Sequence, residues 1–232
     1  MFKRNQIDEA LVQAVESTYS RLDPPAILTR IKRLLDADRK LVPSQEGAGS
    51  GAYAFYDGAA EGSGRDIMFS AYAVWALLIA YRLMACGLPQ GRAVYLMRHF
   101  RESLEREHAR LSRLELANYL NIKDTVVSTA NAAGQESMMA RGTVVERLND
   151  MVFFCVHADL EVLGLTIRTI NEEGVPRPDN ICRGKAELER RLAIDAFCNS
   201  PTLVIELMNP FIQLTHLLSK TKPARRGRRR GS

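Results

Sequence analysis

From Ser70 to Cys86 a helix would have almost no polar side to turn outward. Tyr72, Trp75, Leu78, Ile79 and Leu83 fall all round it, and Arg82 is its only charge. A helix that is apolar on every side belongs in the middle of a fold. It is too short for a bilayer: the uncharged run from Ile67 to Tyr81 is 15 residues, whereas a span needs roughly 20. The rest of the chain must therefore wrap this helix. With 232 residues, 46% of them hydrophobic and 25% charged, the chain has an ordinary globular composition. It is long enough for one large domain or two small ones.

The flanking segments supply elements that could pack on it. Over residues 6–20, Ile7, Leu11, Ala14, Val15 and Tyr19 share one helical face, with polar residues elsewhere. Asp23 before Pro24 and Pro25 is a helix-start signal, since Asp caps free amides and Pro fits a first turn that needs no N–H partner. The second helix then runs from about Pro25 to Ala37, with Ile27, Ile31, Leu34 and Leu35 inward and Arg30, Lys32 and Arg33 largely outward. A Gly/Ala/Ser-rich stretch follows over 43–64. Within it Tyr53–Tyr56 reads as a strand, with Arg65–Phe69 as its partner and a flexible hairpin tip between them. After the apolar helix, Gly87 is the stop and Pro89 the next start. A long helix is expected to about Leu116, with Val94, Met97, Phe100, Leu104 and Leu111 as its buried stripe. Glu102 and Arg106 on its outer face can pair at i,i+4.

Residues 121–142 turn small and polar and read as a linker. Beyond them, Met151–Val156 and Thr202–Leu207 are rich in β-formers and read as strands. Lys185–Phe197 reads as an amphipathic helix, and Asn209-Pro210 opens a last helix to about Ser219. The stretch 143–170 fits either a helix or a strand.

Charge is unevenly placed. The chain carries a formal +5, but Lys220, Lys222, Arg225, Arg226, Arg228, Arg229 and Arg230 form an acid-free, Pro/Gly/Ser-rich tail with no large apolar side chain. Such a segment cannot bury enough surface to offset its ordering entropy, so disorder is expected there. Its Lys/Arg cluster would release counterions from a polyphosphate. It has no interleaved aromatic residues for base stacking.

Catalytic and metal chemistry find little footing. GAGSG at 47–51 follows a helix and precedes an aromatic segment, the wrong context for a phosphate loop, which follows a strand and opens a helix. His99, His108, His157 and His216 lack metal-ligand spacing, and Cys86, Cys155, Cys182 and Cys198 include no CxxC pair. His157 and Asp159, two apart at a strand end, could orient an imidazole for general-base work, although a surface or capping role is the commoner use. No catalytic residue, metal or cofactor is assigned. Scattered cysteines and a polar N-terminus lead us to expect a cytoplasmic protein without a secretory signal.

The order helix, helix, ribbon, helix, Gly turn, helix over roughly 6–116 resembles the winged helix-turn-helix domain of MerR-type bacterial transcription regulators. The matching segments are Ile27–Ala37, Tyr53–Phe69, Ser70–Ala85 with Gly87-Leu88, and Pro89–Leu116. The family's Tyr-Tyr-Glu after the recognition helix is replaced here by Asp36-Ala37-Asp38-Arg39. The resemblance implies a recognition helix in the major groove, a wing on the backbone and dimerisation through the long helix.

The expected fold is α+β and predominantly helical. A winged-helix-like domain (1–120) would be followed by the linker (121–142), a smaller mixed α/β domain (143–219) and a disordered basic tail (220–232). The expected function is DNA binding in bacterial transcriptional regulation, as a homodimer. Arg30, Lys32, Arg33 and Arg65 would contact DNA and the tail would add phosphate affinity. No membrane or small-molecule partner is expected. Two alternatives remain: a scaffold protein whose tail docks an acidic partner, and an enzyme with an unrecognised site near His157 and Asp159.

Overall fold

The computed structural model describes residues 1–17, 23–40, 53–56, 67–114, 151–157, 180–197 and 202–223. Over these it is mainly helical with one small antiparallel sheet, an α+β fold. The chain divides into two compact units, Met1–Arg101 with Gln213–Ser232, and Glu102–Ile212. The first break lies inside the stretch expected to be one domain to residue 120, and the chain's last residues return to unit 1. The linker at 121–142 lies outside the described residues.

Unit 1 is built on α1 (Arg4–Glu16), α2 (Pro24–Lys40), α3 (Ala71–Ala85) and α4 (Gln90–His99). The apolar helix α3 packs against the other three. Tyr72 through Tyr81 are all buried, and Trp75, Leu77, Leu78 and Ile79 are no more than 1% exposed. Burial of each such aliphatic side chain stabilises the fold by about 2 kcal/mol. Ser70 caps α3 by accepting from the Ala73 N–H at 3.1 Å. At its other end Gly87 adopts φ +98°, with Gly87 N–H donating to Met84 O and Leu88 N–H to Leu83 O. That is the paired closure that favours a glycine after a helix. Helix α2 starts where the Asp-Pro-Pro signal put it, with the Asp23 carbonyl accepting from Ala26 and Ile27.

Two expectations for unit 1 change. Tyr53–Tyr56 forms no strand, and Phe69 pairs instead with Phe2, through two backbone hydrogen bonds of 2.8 and 2.9 Å. The aromatic segment is held by side chains rather than a ladder, as described below. The long helix expected from Pro89 to Leu116 is broken at Phe100 (φ −96°, ψ 11°) into α4 and α5 (Arg101–Leu111). Periodicity continues through the break, and the expected stripe of Val94, Met97, Phe100, Leu104 and Leu111 is buried. Tertiary hydrogen bonds of Arg98 and Arg101, on either side of it, accompany the interruption.

Unit 2 holds most of α5 and a sheet of order β2-β1-β3, with β1 Val152–His157, β2 Ile181–Arg183 and β3 Thr202–Glu206. Both neighbours run antiparallel to β1; Phe153 faces Cys182 and Glu206, and Cys155 faces Val204. Strand β2 was not expected, because three residues are too few for alternation to register. Helix α6 (Gly184–Phe197) packs on the face carrying Phe153, Cys155 and Cys182, to which it contributes Leu188. Helix α7 (Met208–Lys220) contains the second division, between Ile212 and Gln213.

Candidate nucleic-acid interface

The amphipathic pattern of α2 decides which of its cations face solvent. Ile27, Ile31, Leu34 and Leu35 are buried, so Lys32 and Arg33 are turned outward and exposed. Arg30 is half-buried, with its guanidinium 5.9 Å from the Tyr81 ring centroid. Its charge is partly committed to that ring. The helix continues past the expected end at Ala37 to Lys40, and this brings in Arg39 and Lys40, both exposed. Lys32 to Arg39 and Arg33 to Lys40 are steps of seven residues, two helical turns. The four cations therefore form one stripe, roughly 12 Å long at 1.5 Å per residue. Half-buried Asp36 is the acid within it.

The second acid of this helix, Asp38, is fully buried and spent on structure. Its carboxylate accepts from the Ala54 and Phe55 N–H groups, each at 3.0 Å, and from Arg98 Nε at 2.7 Å. Arg98 also donates to the Asp38 carbonyl. Arg101 donates to the carbonyls of Tyr53 and, at 2.7 Å, Tyr56. Thus the Ala54 and Phe55 N–H groups rest on Asp38, and the Tyr53 and Tyr56 carbonyls on Arg101. These buried groups are satisfied without a β partner, which is why no ribbon is needed there. Arg39 lies 5.1 Å from the Tyr56 ring centroid. Burial pushes the Tyr56 hydroxyl up from its ordinary range, against the opposing pull of Arg39 and Arg4. Phe69, which pairs with Phe2 just ahead of α1, has its ring 5.7 Å from the Tyr56 ring, so the end of α2 and the start of α1 both border this tyrosine.

The root of the basic tail reaches the same end of α1. Gln6 Nε2 donates to the Thr221 carbonyl at 3.3 Å, and Asn5 Nδ2 to the Lys222 carbonyl at 3.5 Å. Lys220 and Lys222 are exposed. Of the remaining residues expected to meet DNA, Arg65, Arg225, Arg226, Arg228, Arg229 and Arg230 lie outside the described residues. The structure thus brings Lys32 and Arg33 together, sets Arg30 partly aside, and adds Arg39 and Lys40. Those two were legible as a repeat of Lys32-Arg33 seven residues on, but the helix was expected to stop before them.

Unit 2 offers the residues on which an enzyme would be built. His157 ends β1 in register with Thr202, and Asp159 lies outside the described residues. Cys155 and Cys182 are buried with their sulfurs 3.7 Å apart. Burial, reinforced by Cys182, pushes the Cys155 thiol up to about 12. It is a protonated, packed thiol at neutral pH and a poor nucleophile. His108 lies against Phe211, with ring centroids 5.2 Å apart, and burial lowers its pKa to about 4. Asp195 accepts from Arg191 at 3.0 and 3.1 Å and from Thr202 Oγ1 at 2.6 Å. Among the described residues no three His, Cys, Asp or Glu side chains are grouped to hold a metal ion. No described helix is long and apolar enough to cross a membrane.

No protein family, curated relative or solved structure matches this sequence.

Proposed function

We propose that this chain is a DNA-binding protein of the regulator type, with α2 as its recognition element and the basic tail as a non-specific phosphate contact. The observation that supports it is the outward stripe on α2 in the same unit as the tail root. Counting side chains in the sequence, unit 1 carries a formal +10 and unit 2 carries −5, which together make the chain's +5. A cationic surface of this kind draws a polyphosphate and speeds its encounter. The likeness to MerR-type regulators adds the groove-reading role of α2. The described residues contain no wing ribbon, so the proposal leans on the helix and the tail.

The test is binding to random genomic duplex fragments across a salt series, with the whole chain and with a full-length variant in which Arg225, Arg226, Arg228, Arg229 and Arg230 are changed to Gln. Affinity is expected to fall log-linearly with salt. The tail-neutral form should bind more weakly, with a shallower slope, and should still enrich particular fragments. Absence of binding by the whole chain at low salt would end the proposal. Enrichment that disappears with the tail would remove the role of α2.

A further inference from the structure

We infer that the folded end of unit 1, where α1 begins, α2 ends and the tail is rooted, is a fixed phosphate-contacting platform for duplex DNA, formed by Arg39, Lys40, Lys3, Arg4, Lys220 and Lys222. The inference rests on the DNA-binding proposal and adds residues and a geometry to it. Helix α1 opens at Arg4 with no acid in its first turn. Helix α2 closes on Arg39-Lys40 in its last turn. Arg39 lies 5.1 Å from the Tyr56 ring centroid, the Phe69 ring lies 5.7 Å from the same ring, and Phe69 pairs with Phe2 just ahead of α1. The two helix ends are thereby held at one place.

The tail root is fixed to the same place. Besides the bonds from Asn5 and Gln6, the Thr221 N–H donates to Leu217 O at 3.2 Å and its hydroxyl to Leu218 O at 3.1 Å. Gln213, on the same helix, donates to the Ser17 hydroxyl beyond the other end of α1. Lys220 and Lys222 are therefore set by packing and not only by their place in a basic sequence. The acids nearby offset only part of the positive charge. Asp8 is paired with Arg4 at 2.9 Å, and Asp38 is buried and paired with Arg98. Glu9 is exposed and Asp36 half-buried, which leaves a clear positive excess among the solvent-facing groups. A duplex carries about one negative charge per 1.7 Å of its axis. Several phosphates then lie within reach of a patch that continues into a stripe roughly 12 Å long. Because the platform is continuous with the tail, both can engage one duplex, and the second contact becomes intramolecular.

The experiment uses full-length chains and the salt slope of duplex binding. The reference is the tail-neutral form described above. Into it are introduced Lys40→Gln and Lys222→Gln, two exposed side chains whose removal leaves the Asp38 clamp and the Arg39–Tyr56 contact in place. Circular dichroism and thermal melting check the fold. A second variant, Arg39→Gln with Lys40→Gln in the otherwise native chain, checks the same end of α2 with the tail intact. Each neutralised phosphate contact is worth about 0.9 in the log–log slope, so each double variant should lower the slope by about 2 relative to its own parent. If the tail-neutral form does not bind while the native chain does, the tail acts alone: the platform is refuted, the role of α2 goes with it, and DNA binding stands as a property of the tail. If both double variants keep their parents' slopes, the platform is likewise refuted. If the native chain does not bind at low salt, the DNA proposal itself falls.

Discussion

Among the described residues each unit has one carboxylate that is fully enclosed, Asp38 and Glu107, yet the two differ in what surrounds it. In unit 1, Asp38 pins the backbone of a segment that has no strand partner, and its cation Arg98 has a side chain only 11% exposed. In unit 2, Glu107 on α5 accepts from Arg110 at 2.6 Å and from Arg183 of β2 at 3.1 Å, with those side chains 41% and 45% exposed. Both carboxylates are held by arginine, but only one arginine is itself enclosed. A buried pair costs most when its loss strands a charge away from water. The surfaces differ in the opposite sense. Unit 1 consumes its acid inside and shows cations outside, while the net negative charge of the folded part belongs to unit 2. The tail therefore does not account for all the positive character of unit 1.

The largest expected effect tests the first contrast. Asp38→Ala leaves Arg98 enclosed and two backbone donors unsatisfied, and should destabilise by about 3–5 kcal/mol in denaturant unfolding. An unchanged midpoint would mean that the clamp does not hold the Tyr53–Tyr56 segment. Glu107→Ala should cost less, about 1–3 kcal/mol, because Arg110 and Arg183 can turn to water. A loss equal to that of Asp38→Ala would erase the distinction drawn between the two clamps.

Acidification should act through unit 2. His108 has a folded pKa of about 4, below its ordinary 6.5. Between these values the unfolded chain binds the proton that the folded chain refuses. Stability is therefore full above pH 6.5 and declines as pH falls toward 4. The slope of melting temperature against pH over that window should flatten in His108→Leu; equal slopes would show that this imidazole is not the group responsible. The smallest change expected is in unit 1. Gly87→Ala meets no atom within 4 Å of the new Cβ, so the cost is the left-handed backbone alone, about 1 kcal/mol. A substantially larger loss by thermal melting would point to packing that the helix turn lacks here.

Much of the framework was legible from local pattern. The period of apolar residues marked α1, α2, the amphipathic α6, and above all α3, whose lack of a polar face leaves it no position but the centre. Asp23-Pro24 and Gly87 marked helix ends because capping is a property of a few neighbouring residues. The aromatic segment was misread because Tyr53–Tyr56 has strand composition, whereas the groups that satisfy its backbone come from Asp38 and Arg101, far away in sequence. The break at Phe100 escaped for a related reason: the periodicity runs through it, and distant hydrogen bonds flank it. The outward placement of Lys32 and Arg33 was legible from helical phase, but that of Arg39 and Lys40 needed the helix to run one turn further.

The sequence by itself determined that α3 is buried, that the chain mixes helices with a few strands, and that its densest positive charge lies in the tail. All three follow from side-chain composition and short-range periodicity. Only the tertiary structure decided that Asp38 is an internal clamp and not a surface acid, and that the tail root lies against the start of α1. It also decided that the outward cations of α2 belong to a unit whose charge is opposite in sign to that of its neighbour in the chain. Those outcomes depend on which distant groups meet, since burial and hydrogen bonding assign a charge either to the core or to the surface, and local sequence does not encode the meeting.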